Sequence, residues 1–86
     1  MVSQTFTIQN PTGLHARPAS LFVQAATSFK SETFVIKGEK RMNGKSIMGL
    51  MTLGAAKGDA ISLEVTGEDE EQALAELGKI LEMVHE

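Results

Sequence analysis

The chain opens on an alternating segment, residues 2–8. Val2, Phe6 and Ile8 fall on one side of an extended segment and Ser3, Thr5 and Thr7 on the other, the pattern of a strand with one buried face. Asn10, Pro11, Thr12 and Gly13 break it. The period then changes. Ala19, Phe22, Val23, Ala26 and Phe29 recur at helical spacing, so a helix is expected from Ala16 to about Phe29. Pro18 sits in its first turn, where the missing N–H costs nothing, and His15 stands at its N-terminal boundary.

Residues 32–37 (ETFVIK) predict a second strand, Gly38-Glu39 a type II′ turn and residues 40–43 a short third strand ended by Asn43 and Gly44. Ser46 fits an N-cap for a short helix from Ile47 to Leu53, weakened by Gly49 inside it. Over residues 60–66, Ile61, Leu63 and Val65 alternate with Ser62, Glu64 and Thr66, the clearest strand of all. A last helix runs from about Asp69 to Val84, with Leu74, Leu77, Leu81 and Val84 as its buried stripe. Asp69 with Gln72 resembles a capping box, and Glu70 and Glu71 complement the helix dipole. The order β-α-β-β-α-β-α, with strands apolar on one face only, predicts an α+β fold. It is a two-layer open-faced β-sandwich, a four-stranded antiparallel sheet with three helices on one face and water on the other.

Length and composition limit what such a fold can do. Eighty-six residues make one domain, residues 1–86, too small for a deep enclosed cavity, so its chemistry belongs on the surface. There is no cysteine, hence no disulfide and no thiolate metal site, and two histidines 70 positions apart do not suggest a metal centre. No apolar run approaches the roughly 20 residues of a membrane span. The N-terminus has no signal-peptide core. A cytoplasmic protein without membrane insertion is expected.

Charge is divided along the chain. Residues 1–57 hold seven of the eight Lys and Arg against Glu32 and Glu39, whereas residues 58–86 hold Lys79 against nine acids. With two arginines and neither Trp nor Tyr, nucleic acid is not the expected partner. One reading is a basic face aimed at an acidic partner or a phosphate. The other is that acids merely crowd the start of the last helix.

Two stretches carry candidate chemistry. In Gly13-Leu14-His15-Ala16-Arg17-Pro18, an imidazole that titrates near neutrality precedes a helix N-terminus. There the amides of Ala16 and Arg17 and the helix dipole favour an anion. Arg17 adds a forked cation suited to phosphate. A plain surface histidine is the simpler alternative. No acid lies near His15 in sequence, which argues against a Ser-His-Asp arrangement. His85 reads as a chain-end residue. In Lys45-Ser46-Ile47-Met48-Gly49-Leu50-Met51, Leu50 and Leu53 are expected to face inward with Ile47 between them, leaving Met48 and Met51 at least partly exposed. A phosphate on Ser46 would be favoured at the start of that helix.

These two stretches closely resemble the active-site and regulatory-serine motifs of the HPr family, the histidine-containing phosphocarriers of the bacterial phosphoenolpyruvate-dependent sugar phosphotransferase system. The likeness runs from about Val2 to Val84. It implies a carrier without cofactor, phosphorylated and dephosphorylated by other proteins rather than an enzyme itself. Enzyme I would phosphorylate Nδ1 of His15, and the A domains of sugar-specific enzymes II would receive the group. Arg17 matches the arginine that steadies phosphate and partner. Ser46 matches the serine modified by HPr kinase/phosphorylase, whose product slows transfer and serves catabolite control protein A as corepressor. Ser20, Ile47, Met48 and Met51 are assigned to the partner surface, and the carrier is expected to be a monomer. Two alternatives stay open: a carrier of the nitrogen-linked phosphotransferase chain, and a mainly regulatory module switched at Ser46. A paralogue of the second kind has glutamine at the active-site position, whereas this chain has His15.

Overall fold

The computed structural model describes residues 1–11, 13, 14 and 16–83. Its elements are β1 (Val2–Thr7), α1 (Ala16–Thr27), β2 (Glu32–Lys37), β3 (Lys40–Asn43), α2 (Ile47–Thr52), β4 (Ala60–Thr66) and α3 (Glu70–Glu82). The last three strands occupy the residues expected of them. Gly38 has φ +60° while Glu39 keeps a negative φ, so β2 and β3 are joined by a turn with one left-handed residue, as the type II′ expectation requires.

The four strands form one antiparallel sheet in the order β1-β4-β2-β3. Register places like residues in rows across it. Phe6 faces Ile61, Val2 faces Val65, and Val35 lies between Leu63 and Met42. Such rows give one apolar face. All three helices lie over it, and Ala19, Phe22 and Ala26 from α1, Leu50 from α2, and Ala73, Leu77 and Leu81 from α3 complete the core. On the opposite face the Arg41 guanidinium lies 3.8 Å from the Phe34 ring centroid and 3.2 Å from Glu64, shielding an aromatic that has no helix above it.

Helix ends depart from the sequence reading for local reasons. α1 stops at Thr27, because the hydroxyls of Thr27 and Ser28 donate to the carbonyls of Val23 and Ala25 and the last turn tightens. The expected capping box at α3 does not form. Asp69 precedes the helix but its side chain makes no cap bond. Its carboxylate turns to the α1–β2 connection, where it accepts from the amides of Lys30 at 2.9 Å and Ser31 at 3.0 Å and from the Ser31 hydroxyl. Glu70 instead closes the turn by accepting from the Gly67 amide at 3.2 Å. The apolar stripe of α3 is centred on Ala73, Leu77 and Leu81, with Leu74 partly buried, while Val84 lies outside the described residues.

Candidate functional site

The site is built on two loops that lie against each other. After β1 the chain turns at Asn10, whose buried side-chain amide donates to the Gly13 carbonyl at 3.0 Å while its own carbonyl accepts from the Gly13 amide at 2.9 Å. Leu14 then donates its amide to the Ala55 carbonyl at 2.9 Å and buries its side chain. The second loop is tied below, with Ile8 donating to the Asp59 carbonyl at 3.0 Å and Gly58 to the Ile8 carbonyl at 2.8 Å. A segment so paired on both sides is held in one place. It delivers the chain to Ala16, the first residue of α1.

His15, the expected phosphoryl acceptor, lies outside the described residues, as does Thr12. Ala16 and Arg17 are exposed in the first turn of α1, where backbone amides point out along the helix axis, and Pro18 is buried behind them. Ser20 is half-buried in the next turn. Between loop and helices is a crevice of ≈ 10 Å³ edged by Asn10, Leu14, Pro18, Phe22 and Leu81, about the room of one water. Any ligand of this region therefore sits outside it.

Ser46 is the N-cap of α2. Its backbone is extended and its hydroxyl accepts from the Gly49 amide at 3.2 Å. Met48 is 77% exposed and Met51 47%, as expected. Ile47 departs from the inward placement and is 38% exposed. A six-residue helix offers little inward surface, and here Leu50 alone takes it. Leu21 of α1, 41% exposed, joins these apolar residues on the surface and was not singled out in the sequence. The signal was its position outside the α1 stripe. α1 packs against α2, so the helix bearing Arg17 and Ser20 adjoins the one bearing Ile47, Met48 and Met51.

Part of the divided charge is paired across the fold. Lys30 pairs with Glu68 at 3.7 Å, Lys37 with Asp59 at 3.1 Å and Arg41 with Glu64 at 3.2 Å, each joining the basic part of the chain to the acidic part. Lys45 donates its ammonium to the Phe29 carbonyl at 3.1 Å. These contacts take up part of the charge of the basic half. Among the described residues no cluster of metal-ligating side chains occurs, and no helix is long and apolar enough to cross a membrane.

The match to a family model decides the kinship. Residues 2–83 fit the PTS HPr component phosphorylation site family. The chain belongs to the HPr family. Phosphocarrier protein HPr of Neisseria meningitidis serogroup A is 51% identical over 81 residues, which are 94% of this chain and 91% of that one. HPr-like protein Crh of Bacillus subtilis is 49% identical over 77 residues, 90% of this chain and 91% of that one. Among solved structures, HPr-C-His from Thermoanaerobacter tengcongensis superposes with a TM-score of 0.90 at 48% identity, covering 94% of this chain and 91% of that one. The four-stranded antiparallel sheet with three helices is thus the HPr fold, and the chain is a phosphocarrier of the phosphotransferase system by kinship. Solved family members also include dimers, of HPr from T. tengcongensis and of Crh from B. subtilis, so kinship does not fix the expected monomer.

Proposed function

We propose that this protein accepts a phosphoryl group from enzyme I on Nδ1 of His15 and passes it to the A domains of sugar-specific enzymes II. The observation that carries this is the family match over residues 2–83, which spans the whole Gly13-Leu14-His15-Ala16-Arg17-Pro18 motif. The surroundings support it. The preceding loop is anchored, the first turn of α1 presents Ala16 and Arg17 at the surface, and the helix dipole favours the added negative charge. A few amides and one guanidinium hold a phosphate in line without burying it, which suits a group that must leave again. The exposed Ile47, Met48 and Met51, with Ser20 on the adjoining helix, form the partner surface, whose flexible thioethers adapt to partners of different shape. The transfer unit is a monomer acting in the cytoplasm, without cofactor.

The test is incubation with enzyme I and phosphoenolpyruvate. An acid-labile phosphate is expected on the parent and absent from His15→Ala. Labelling that survives this substitution overturns the assignment.

The Crh relative favours a second reading, in which phosphorylation of Ser46 by HPr kinase/phosphorylase governs binding to catabolite control protein A. The Ser46 hydroxyl already meets the amide of Gly49, so a phosphate there would meet the same helix start. Deleting the gene separates the readings. Loss of sugar uptake supports the carrier, and loss of catabolite repression alone supports the regulator.

A further inference from the structure

Lys37, the last residue of β2, reaches across to the 54–59 loop. Its ammonium donates to the Gly54 carbonyl at 3.0 Å and pairs with Asp59 Oδ2 at 3.1 Å. The same Asp59 oxygen accepts from the Ala56 amide at 2.9 Å, while the Asp59 amide donates to the Ala56 carbonyl at 3.0 Å. One bond from each of these two paired side chains therefore reaches Gly54 and Ala56, the residues either side of Ala55. Ala55 in turn supplies the carbonyl that takes the Leu14 amide, and Leu14 is bonded directly to His15.

β2 lies between β4 and β3, so Lys37 is rooted in the sheet and the loop is hung from it. Both side chains are about one-third exposed, and pairs of that kind contribute little to global stability. Their effect is local. They select one shape for a glycine-flanked loop whose central carbonyl is the seat of the acceptor segment.

We propose that Lys37 and Asp59 are positioning residues for phosphoryl transfer, acting through Ala55 and Leu14 on the placement of His15. This rests on the carrier reading above. The clasp grips the loop at Gly54 and Ala56, beyond the end of α2, so its expected effect is on the transfer step more than on docking. Supporting this, the Ala56 amide first and the Lys37 ammonium second hold the Asp59 carboxyl below its ordinary value, so the clasp is charged and closed at neutral pH.

The experiment compares the full chain with Lys37→Met, which keeps the aliphatic stem, and with Asp59→Asn, which keeps an acceptor for the Ala56 amide. Circular dichroism establishes that each is folded. With enzyme I and phosphoenolpyruvate, kcat for phosphorylation of the carrier is expected to fall about tenfold while KM stays within about twofold, because misplacing a reacting group costs rate and not docking. Exchange of the Leu14 amide, followed by NMR without any partner, is expected to quicken about tenfold in both variants. Folded variants with the parent's kcat overturn the proposal, and so does a raised KM at unchanged kcat. A parent that takes no phosphate removes the carrier reading instead, and unchanged Leu14 exchange then still overturns the clasp.

Discussion

Gly13 lies so close to the Ala55 carbonyl that a β-carbon at position 13 would overlap that oxygen and the Ala56 Cα. Its φ of +71° is in the left-handed region as well. Two independent constraints therefore meet at one residue. Strain alone costs a side-chain-bearing residue about 1–2 kcal/mol there, and displacement of the 55–56 backbone adds to it. Gly13→Ala is expected to lower the urea midpoint by more than the strain alone, and to quicken exchange of the Leu14 amide. A variant as stable as the parent removes the claim that the loops are in contact.

Ser46 is a helix cap before it is anything else. Ser46→Ala removes the acceptor for the Gly49 amide and is expected to cost about 1 kcal/mol in chemical denaturation. Ser46→Asp restores an acceptor at the N-cap, and its stability is expected to return close to that of the parent. If Ala and Asp destabilise equally, the cap is not what Ser46 contributes to the fold.

Thr33 points the other way. It is 2% exposed, and its Oγ1 is buried with no hydrogen-bond partner among the described residues. Its γ-methyl lies beside Gly44 and the Phe22 ring. Thr33→Val keeps the shape and removes an unpaired hydroxyl, so a gain of about 1 kcal/mol is expected in the denaturation midpoint. A loss of that size means that the hydroxyl is satisfied.

Acid should loosen the fold through identifiable carboxylates. The Ser31 hydroxyl first, then the Lys30 amide, holds Asp69 below its ordinary 3.8, and the Gly67 amide holds Glu70 below 4.5. A carboxyl with a lowered folded pKa adds stability above its unfolded pKa, and that stability drains as pH falls through the folded value. Stability is thus expected to be level at neutral pH and to fall below the ordinary values of these groups. Asp69→Asn should be less stable than the parent at pH 7, with the gap narrowing by pH 3. A gap that is constant with pH contradicts the assignment.

Strands were legible because their information is local. Alternation at residues 60–66 marks both the element and its buried face, and Gly38 marks the turn between β2 and β3. Ser46 was legible as a cap because an N-cap needs only its own helix. Asp69 was misread because its partners, Lys30 and Ser31, lie 39 and 38 positions away. Tertiary donors outcompeted the local cap, and no sequence window contains both sides of that choice. The same holds for the charge division, whose pairing became visible only once β4 lay beside β2. The motif at residues 13–18 was plain in the sequence, yet its support was not, since nothing near Leu14 announces Ala55 or Lys37.

The strand order has a bearing on how the protein comes into being. Of the four strands β1 is made first, and β4, the strand it pairs with among the described residues, is made last. Closing Val2 onto Val65 gathers nearly the whole chain into one loop, a slow event that cannot begin until residue 65 exists. The loop ending at Leu14 waits with it, because the Ala55 that Leu14 needs arrives just before β4. A chain stopped short of β4 thus carries Leu14 without a completed sheet behind the loop that takes its amide.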